Sequence, residues 1–284
     1  MKCDLHCHSY YSDGEWSPGE IIDFAGKNDC IVALTDHNTT KGLREFLAAA
    51  EEKGVEAVAG VEFSSEYKGK EIHILGLFID SFYYDYIEEI AEDYRKKKTE
   101  SNIELIKKLN AAGYDISFEK LQKNAVGGSF NRAAIAAEMV EKGYVSSNDE
   151  AFRGILSKKA GYYIPPKRNN TLDIIRFIRS INAVPVAAHL LVSLEKEECA
   201  DFLSQATQAG LMAIETCYSM YSEDETAFAK ELAEHFGLLE SGGSDFHGAA
   251  KPDICIGTGK GKLMVEDAVL EPLRRRKRRT SMCP

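Results

Sequence analysis

A chain of 284 residues, 44% hydrophobic and 28% charged, has globular composition and the length for one large domain or two modest ones, which excludes a largely disordered protein. No apolar run approaches the roughly 20 residues of a membrane helix, and Met1-Lys2-Cys3-Asp4 reaches charge too early for a secretion signal, so the expected location is the cytoplasm. The formal charge of -10 argues against a nucleic-acid coat, although it conceals a run of six cations at 274–279; so acidic a body either repels phosphorylated ligands or holds cations that the sequence does not count.

Residues 2–7 read as a strand. Ser17-Pro18-Gly19-Glu20 supplies an N-cap, a proline at the first helical position and a glutamate three after the cap, which predicts a helix over Ile21, Ile22 and Ala25. A strand at 31–35 follows. Thr39 or Thr40 is then expected to cap a helix whose Leu43, Phe46, Leu47 and Ala50 fall at helical spacing before Gly54 closes it. Residues 55–63 and 71–79 form a predicted hairpin around Tyr67-Lys68-Gly69-Lys70; a two-residue turn at Lys68-Gly69 pairs Tyr67 with Lys70 and Glu62 with Leu75. Residues 84–112 are expected to be helical up to Gly113. The alternation of strands and helices lapses over 113–164, where short helical patterns at 133–140 and 149–156 indicate a small helical insertion, with its border set at 99 and its exit at Pro165-Pro166. It then resumes, with helices at 171–180, 197–208 and 224–235, strands at 183–188, 211–216 and 238–242, and a last helix near 266–275. The expected domains are 1–98 with 165–284, the insertion 99–164, and a basic tail at 274–284 that reads as a solvated, disordered end, RNA contact being the alternative.

The seven cysteines are scattered and lack a C-x-x-C pair, as fits reduced thiols. The histidines carry more information. His6 and His8 project from one face of a strand, with Asp4 behind them, and can converge on one ion; alone, they fit an exposed polar strand face equally well. His37, His189 and His247 each follow a predicted strand. In barrels of alternating strands and helices that edge gathers the catalytic loops. In the hairpin, Glu62 and His73 share a face as diagonal neighbours, and a carboxylate facing a core is costly unless it is paired or bound to a cation. Asp13 and Asp245 sit in turn-like sequences that singly suggest turns and together complete a set of six histidines and three carboxylates. His235 falls in a helix pattern and is assigned to the surface.

Asp4-Leu5-His6-Cys7-His8-Ser9, Ser12-Asp13-Gly14, Thr35-Asp36-His37-Asn38, Gly60-Val61-Glu62, His73-Ile74-Leu75-Gly76, Ala188-His189 and Gly243-Ser244-Asp245-Phe246-His247-Gly248 resemble, in order and spacing, the motifs of the PHP (polymerase and histidinol phosphatase) metal-dependent phosphoesterases. The resemblance implies an α/β fold, a distorted (β/α)7 TIM-like barrel, holding two to three divalent ions. It implies one ion on His6, His8, Glu62 and Asp245, a second on Glu62, His73 and His189, and a third on Asp13, His37 and His247, with His8, Asp13, His37, Glu62 and His247 taking part in catalysis. Relatives with such an insertion resemble phosphatases of nucleoside 3',5'-bisphosphates and nucleases that trim short RNA from the 5' end, and in them the insertion helps to cover the substrate. Gly127-Gly128-Ser129-Phe130-Asn131-Arg132 is similar to their phosphate-gripping motif, though Ala133-Ala134 replaces the usual proline and histidine and Leu190 replaces the proline after the barrel histidine.

The implied activity is hydrolysis of phosphate monoesters of small nucleotides, by in-line attack of a hydroxide bridging two ions. The alternatives are 5'-to-3' exonuclease action on short RNA, a histidinol-phosphate phosphatase, and a metal-bearing module that binds phosphometabolites without turnover. A nitrogen-rich ligand set suits manganese first, with iron or zinc as alternatives. Arg132, Lys159, Lys167 and Arg168 are the candidate contacts for a second phosphate, Tyr218 a candidate pocket residue, and Glu215 a candidate partner of a ligand histidine. Nothing in the sequence calls for a protein partner or a membrane.

Overall fold

The computed structural model describes residues 1–124, 132–166 and 168–281, and their side chains except at 124 and 278–281. It divides into two compact units, residues 1–88 with 168–284, and 89–167, against the borders at 98/99 and 164/165 expected from composition. The first border falls inside one continuous helix, α3 (Tyr84–Ala111), which a change of local pattern cannot reveal.

The first unit is built on the strands β1 (Lys2–Cys7), β2 (Cys30–Leu34), β3 (Ala57–Tyr67), β4 (Lys70–Leu77), β5 (Asn169–Asn170), β6 (Val184–Ala187), β7 (Ala213–Tyr218) and β8 (Leu239–Gly243). Their order is β1-β2-β3-β4-β6-β7-β8, with the two-residue β5 against β3. Neighbours run parallel except β4, which is antiparallel to both β3 and β6. Beyond β8 the chain returns to β1, where Asp245 N–H donates to His6 O and His8 N–H to Phe246 O, each at 2.9 Å, so the sheet is nearly closed. The expected distorted seven-stranded barrel is thus present, with one strand reversed by the hairpin.

The hairpin has the predicted register: Tyr67 pairs with Lys70 and Glu62 with Leu75. Lys68 and Gly69 take φ of 49° and 80°, the left-handed pair that a tight two-residue turn requires. Inside the barrel, Leu5, Ala33, Val58, Leu75, Val186 and Ala213 form a core that Leu270 and Leu273 of the last helix, α11 (Leu270–Ser281), close from below. Around it lie α1 (Pro18–Lys27), α2 (Leu43–Lys53), α7 (Thr171–Ser180), the short α8 (Leu190–Ser193), α9 (Lys196–Ala209) and α10 (Glu223–Phe236). Their apolar stripes, such as Ile174, Ile175 and Ile178 of α7, pack on the outer sheet face.

Ser17 caps α1 as expected, its hydroxyl accepting from Glu20 N–H at 3.1 Å while Glu20 accepts from Ser17 N–H at 2.8 Å. Thr39 and Thr40 do not cap α2, whose N-cap is Gly42; their hydroxyls donate to the Glu88 carboxylate instead, at 2.7 and 3.1 Å. The basic tail also departs from expectation. Its residues continue α11, with Arg274 paired to Glu56 and Lys277 Nζ donating to Phe78 O at 2.6 Å, because the buried leucines just before the run anchor the helix. Residues 282–284 of that tail lie outside the described residues.

The second unit continues from α3 through α4 (Phe118–Asn124), α5 (Arg132–Glu141) and α6 (Asn148–Arg153) around its own core of Leu105, Leu109, Ile135, Met139 and Leu156. Among the described residues no helix is long and apolar enough to cross a membrane.

Candidate metal centre

Glu62 projects from β3 into the barrel mouth, fully buried, and five imidazoles meet its carboxylate. His73 and His189 lie 2.8 and 3.0 Å from Oε1; His6, His8 and His37 lie 3.2, 3.2 and 3.1 Å from Oε2. These rings form a closed circuit, His6-His8-His37-His73-His189, with neighbouring centroids 4.6–5.6 Å apart, and His247 stacks on His8 at 4.2 Å. The fold brings them together from the ends of β1, β2, β6 and β8 and from β4 beside β3.

Local backbone features aim these groups. A bulge between Asp4 and Cys7 shifts the register of β1, so His6 and His8 face the mouth while Leu5 stays in the barrel core. Asp4 therefore does not join them: its Oδ1 accepts from Ser244 N–H at 2.8 Å and its Oδ2 from Gly257 N–H at 2.7 Å. His189 and Asp245 hold φ of 30° and 57°, left-handed positions that non-glycine residues adopt only when their surroundings fix them. One such brace is Glu215, whose Oε1 lies 2.9 Å from His6 Nδ1 and whose Oε2 accepts from His189 N–H at 2.6 Å.

Among the described residues, three overlapping groups have ligand atoms close enough to share a cation: His6, His8, Glu62 and Asp245; His8, Asp13, His37 and His247; and His37, Glu62 and His73. The first matches the expected set. The second adds His8 to the expected third set, through Nδ1 at 3.6 Å from Asp13 Oδ1. In the remaining group His37 stands where His189 was expected; His189 Nε2 lies 3.0 Å from Glu62 Oε1, the oxygen that His73 also meets.

The donor chemistry fits divalent ions. His37 Nδ1 and Glu62 Oε2 are buried 3.1 Å apart, yet neither has an aligned hydrogen-bond partner among the described residues, nor do His8 Nδ1 and His189 Nδ1. Lone pairs converging without a shared proton are what a cation would organise. Burial pushes the Glu62 carboxyl up, but the imidazoles of His37, His6 and His73 more than reverse it and hold it well below its ordinary value. Burial lowers His37 to about 3. Glu62 is thus ionised, the state in which a carboxylate ligates metal. Burial acts downward on His8 and His73 too, but Asp245 and Glu62 lift His8 to about 9, while Glu62 and Glu71 lift His73 to about 10, a measure of how strongly these carboxylates draw positive charge.

The PHP domain profile matches residues 4–164, more than half of the chain. The protein belongs to the PHP family. Over 251 residues this PHP chain is 30% identical to the 3',5'-nucleoside bisphosphate phosphatase of Chromobacterium violaceum, covering 86% of each. It is 29% identical to a 5'-3' exoribonuclease of Haemophilus influenzae, covering 87% of this chain and 90% of that one. Its fold matches the structure of an amidohydrolase from C. violaceum, with bound sulfate and no metal, at a TM-score of 0.83 and 26% identity over 97% of both chains. As a PHP phosphoesterase it is a hydrolase, and the reading as a binding module without turnover falls away.

The expected phosphate contacts of this PHP protein are placed less uniformly. Arg168 extends its guanidinium to Glu71 Oε1 at 2.7 Å, and that oxygen lies 3.3 Å from His73 Nε2; Arg168 therefore braces a histidine of the circuit through Glu71. Arg132, in the second unit, lies over the Tyr163 ring at 3.8 Å and donates to Leu156 O. Lys159 occupies an exposed 3-10 turn of the same unit, and Lys167 and the glycine-rich motif at 127–131 lie outside the described residues. The Tyr218 hydroxyl donates to Asp245 Oδ2 at 2.9 Å, so it orients an acidic ligand candidate. His235 is on the surface, as expected.

Sequence reasoning missed Asp36. Its Oδ1 accepts from Ser9 N–H and Ser12 Oγ at 2.8 and 2.6 Å, bracing the loop that carries Asp13; its place beside His37 in Thr35-Asp36-His37 was the available signal. For Glu215, substitution by Gln leaves a single carbonyl acceptor for two donors. Glu215→Gln is expected to weaken metal affinity by about 10- to 100-fold, as titration of the metal-stripped protein would measure; unchanged affinity would show that His6 needs no such brace.

Proposed function

We propose that this protein is a metal-dependent phosphatase of small nucleotides that removes the 3'-phosphate of nucleoside 3',5'-bisphosphates. Glu62 at the centre of a five-imidazole circuit carries this reading, because one carboxylate shared by so many nitrogen donors suits a cluster of divalent ions rather than a single one. His6, His8, Glu62 and Asp245 would hold one ion, Asp13, His37 and His247 another, and Glu62, His73 and His189 a third, His37 standing between the last two sets. Six imidazoles against three carboxylates favour manganese, with iron or zinc as alternatives, over magnesium. Bound ions supply Lewis acidity and a water of lowered pKa.

The chain's own residues fix the stage for that chemistry. His247 Nδ1 lies 2.8 Å from Asp245 O, which assigns the proton to Nδ1 and leaves Nε2 directed at Asp13, 3.3 Å away. Glu215 fixes His6 in the same way. The buried walls exclude bulk water from the inner carboxylates, so charge there acts at low effective dielectric.

The choice of substrate is supported by the Chromobacterium relative, and an RNA-trimming activity by the Haemophilus one. Manganese-loaded protein should release phosphate from adenosine 3',5'-bisphosphate much faster than from histidinol phosphate, and should not shorten 5'-labelled oligoribonucleotides. Mononucleotides from the oligomer, with the bisphosphate untouched, would replace this proposal with the exonuclease.

A further inference from the structure

Lys251 was not among the residues that the sequence singled out, yet its ammonium sits at the mouth of the cluster. Nζ donates to Asp245 Oδ2 at 2.6 Å, while Asp245 Oδ1 faces His8 Nε2 at 3.2 Å and His6 Nε2 at 3.6 Å. The cation is thus one carboxylate away from the first group of metal-ligand candidates.

Two features make this more than a surface ion pair. First, the backbone holds Lys251 in place. Its N–H donates to Gly248 O and Ile254 N–H donates to its carbonyl, both at 3.0 Å, and the Pro252 that follows keeps it out of the helical region, at φ -131° and ψ 73°. Gly248 takes φ of 75° against Glu15, whose carboxylate accepts from Ala249 N–H at 3.1 Å. Second, the charge itself is unfavourable for holding metal. Tyr218 already donates to Asp245 Oδ2 and could orient it as a neutral group, whereas an ammonium beside a site for divalent ions repels them and weakens the carboxylate as a donor. A cation placed there at that cost is accounted for by an anion that it meets.

The side chain is 38% exposed, and an ammonium has three donors, of which Asp245 takes one. Arg168, a cation that also lies near the circuit, has a side chain only 7% exposed and is engaged by Glu71.

We propose that Lys251 contacts the substrate directly, donating to a non-bridging oxygen of the phosphoryl group to be transferred. The inference rests on the phosphoesterase reading above and adds to it a residue that recognises the reacting group. The ammonium would offset charge on the phosphoryl oxygens and leave Asp245 in position when product departs.

The test is binding of inorganic phosphate to manganese-loaded protein by calorimetry, alongside metal content by mass spectrometry and KM and kcat on adenosine 3',5'-bisphosphate. Lys251→Met is expected to weaken phosphate binding by about tenfold or more at wild-type metal content, and Lys251→Arg to recover most of it. Phosphate affinity within threefold of wild type, or a loss of metal parallel to the loss of phosphate, would overturn the proposal, the latter by reducing Lys251 to a support for Asp245. Should Lys251→Met fold poorly, Lys251→Gln serves the same comparison. Failure of the wild-type protein to bind phosphate also overturns it. Phosphate binding that depends on Lys251, without hydrolysis of any nucleotide, would leave this contact standing and remove the proposed substrate.

Discussion

Glu62→Gln is expected to cut phosphate release by at least about three orders of magnitude, corresponding to several kcal/mol of transition-state stabilisation. The substitution is nearly isosteric, so the barrel should persist, but it removes the charge that five imidazoles share and turns one oxygen into a donor facing His73 or His8. The metal content per chain should fall together with the rate. Mass spectrometry of the purified variant, beside phosphate release and thermal melting, separates loss of ions from loss of fold. A variant that keeps its ions and stays within tenfold of the wild-type rate would show that Glu62 is structural and that the centre lies elsewhere in the mouth.

Gly243→Ala should damage the same centre from behind. A Cβ on Gly243 would come within 2.5 Å of His6 Cβ and 2.6 Å of His6 N, contacts that only backbone movement can relieve. Overpacking of this kind costs about 3 kcal/mol, and here the movement would pull β8 from β1 and displace His6 from Glu62. Urea denaturation should therefore show the loss in stability, and metal titration a loss in affinity. Gly19→Ala is the matched control: it lies on α1 with only Ser17 Oγ within 4 Å and should be neutral or slightly stabilising. Equal behaviour of the two variants would mean that the approach of β8 to His6 constrains neither the fold nor the site.

The hairpin shows how much could be read in advance. Alternation along two strands and a turn with one obvious glycine fix the register, and with it the shared face of Glu62 and His73. The expectation for Asp4 failed for a related reason: a bulge in β1 breaks strict alternation, and nothing in Lys2-Cys3-Asp4-Leu5-His6 announces it. The grouping of His37 with Glu62 and His73 depends on loop paths, which local sequence patterns do not encode. Cations were the hardest to assign. Arg168 and Lys251 look alike as sequence, but Arg168 is spent on Glu71 and Lys251 stands on Asp245, a distinction made only by the partners that tertiary structure supplies.

The joining of β1 to the segment beyond β8 also bears on how the molecule comes into being. Asp4 is fastened by the Ser244 and Gly257 amides, 240 and 253 residues further along the chain, and His8 meets Asp245 across a similar separation. Closure of so long a loop is slow, and it offers no reward until both ends are present. β1 therefore stays paired on its β2 side alone until the segment beyond β8 has been made, and the His6–Asp245 side of the mouth takes shape only then.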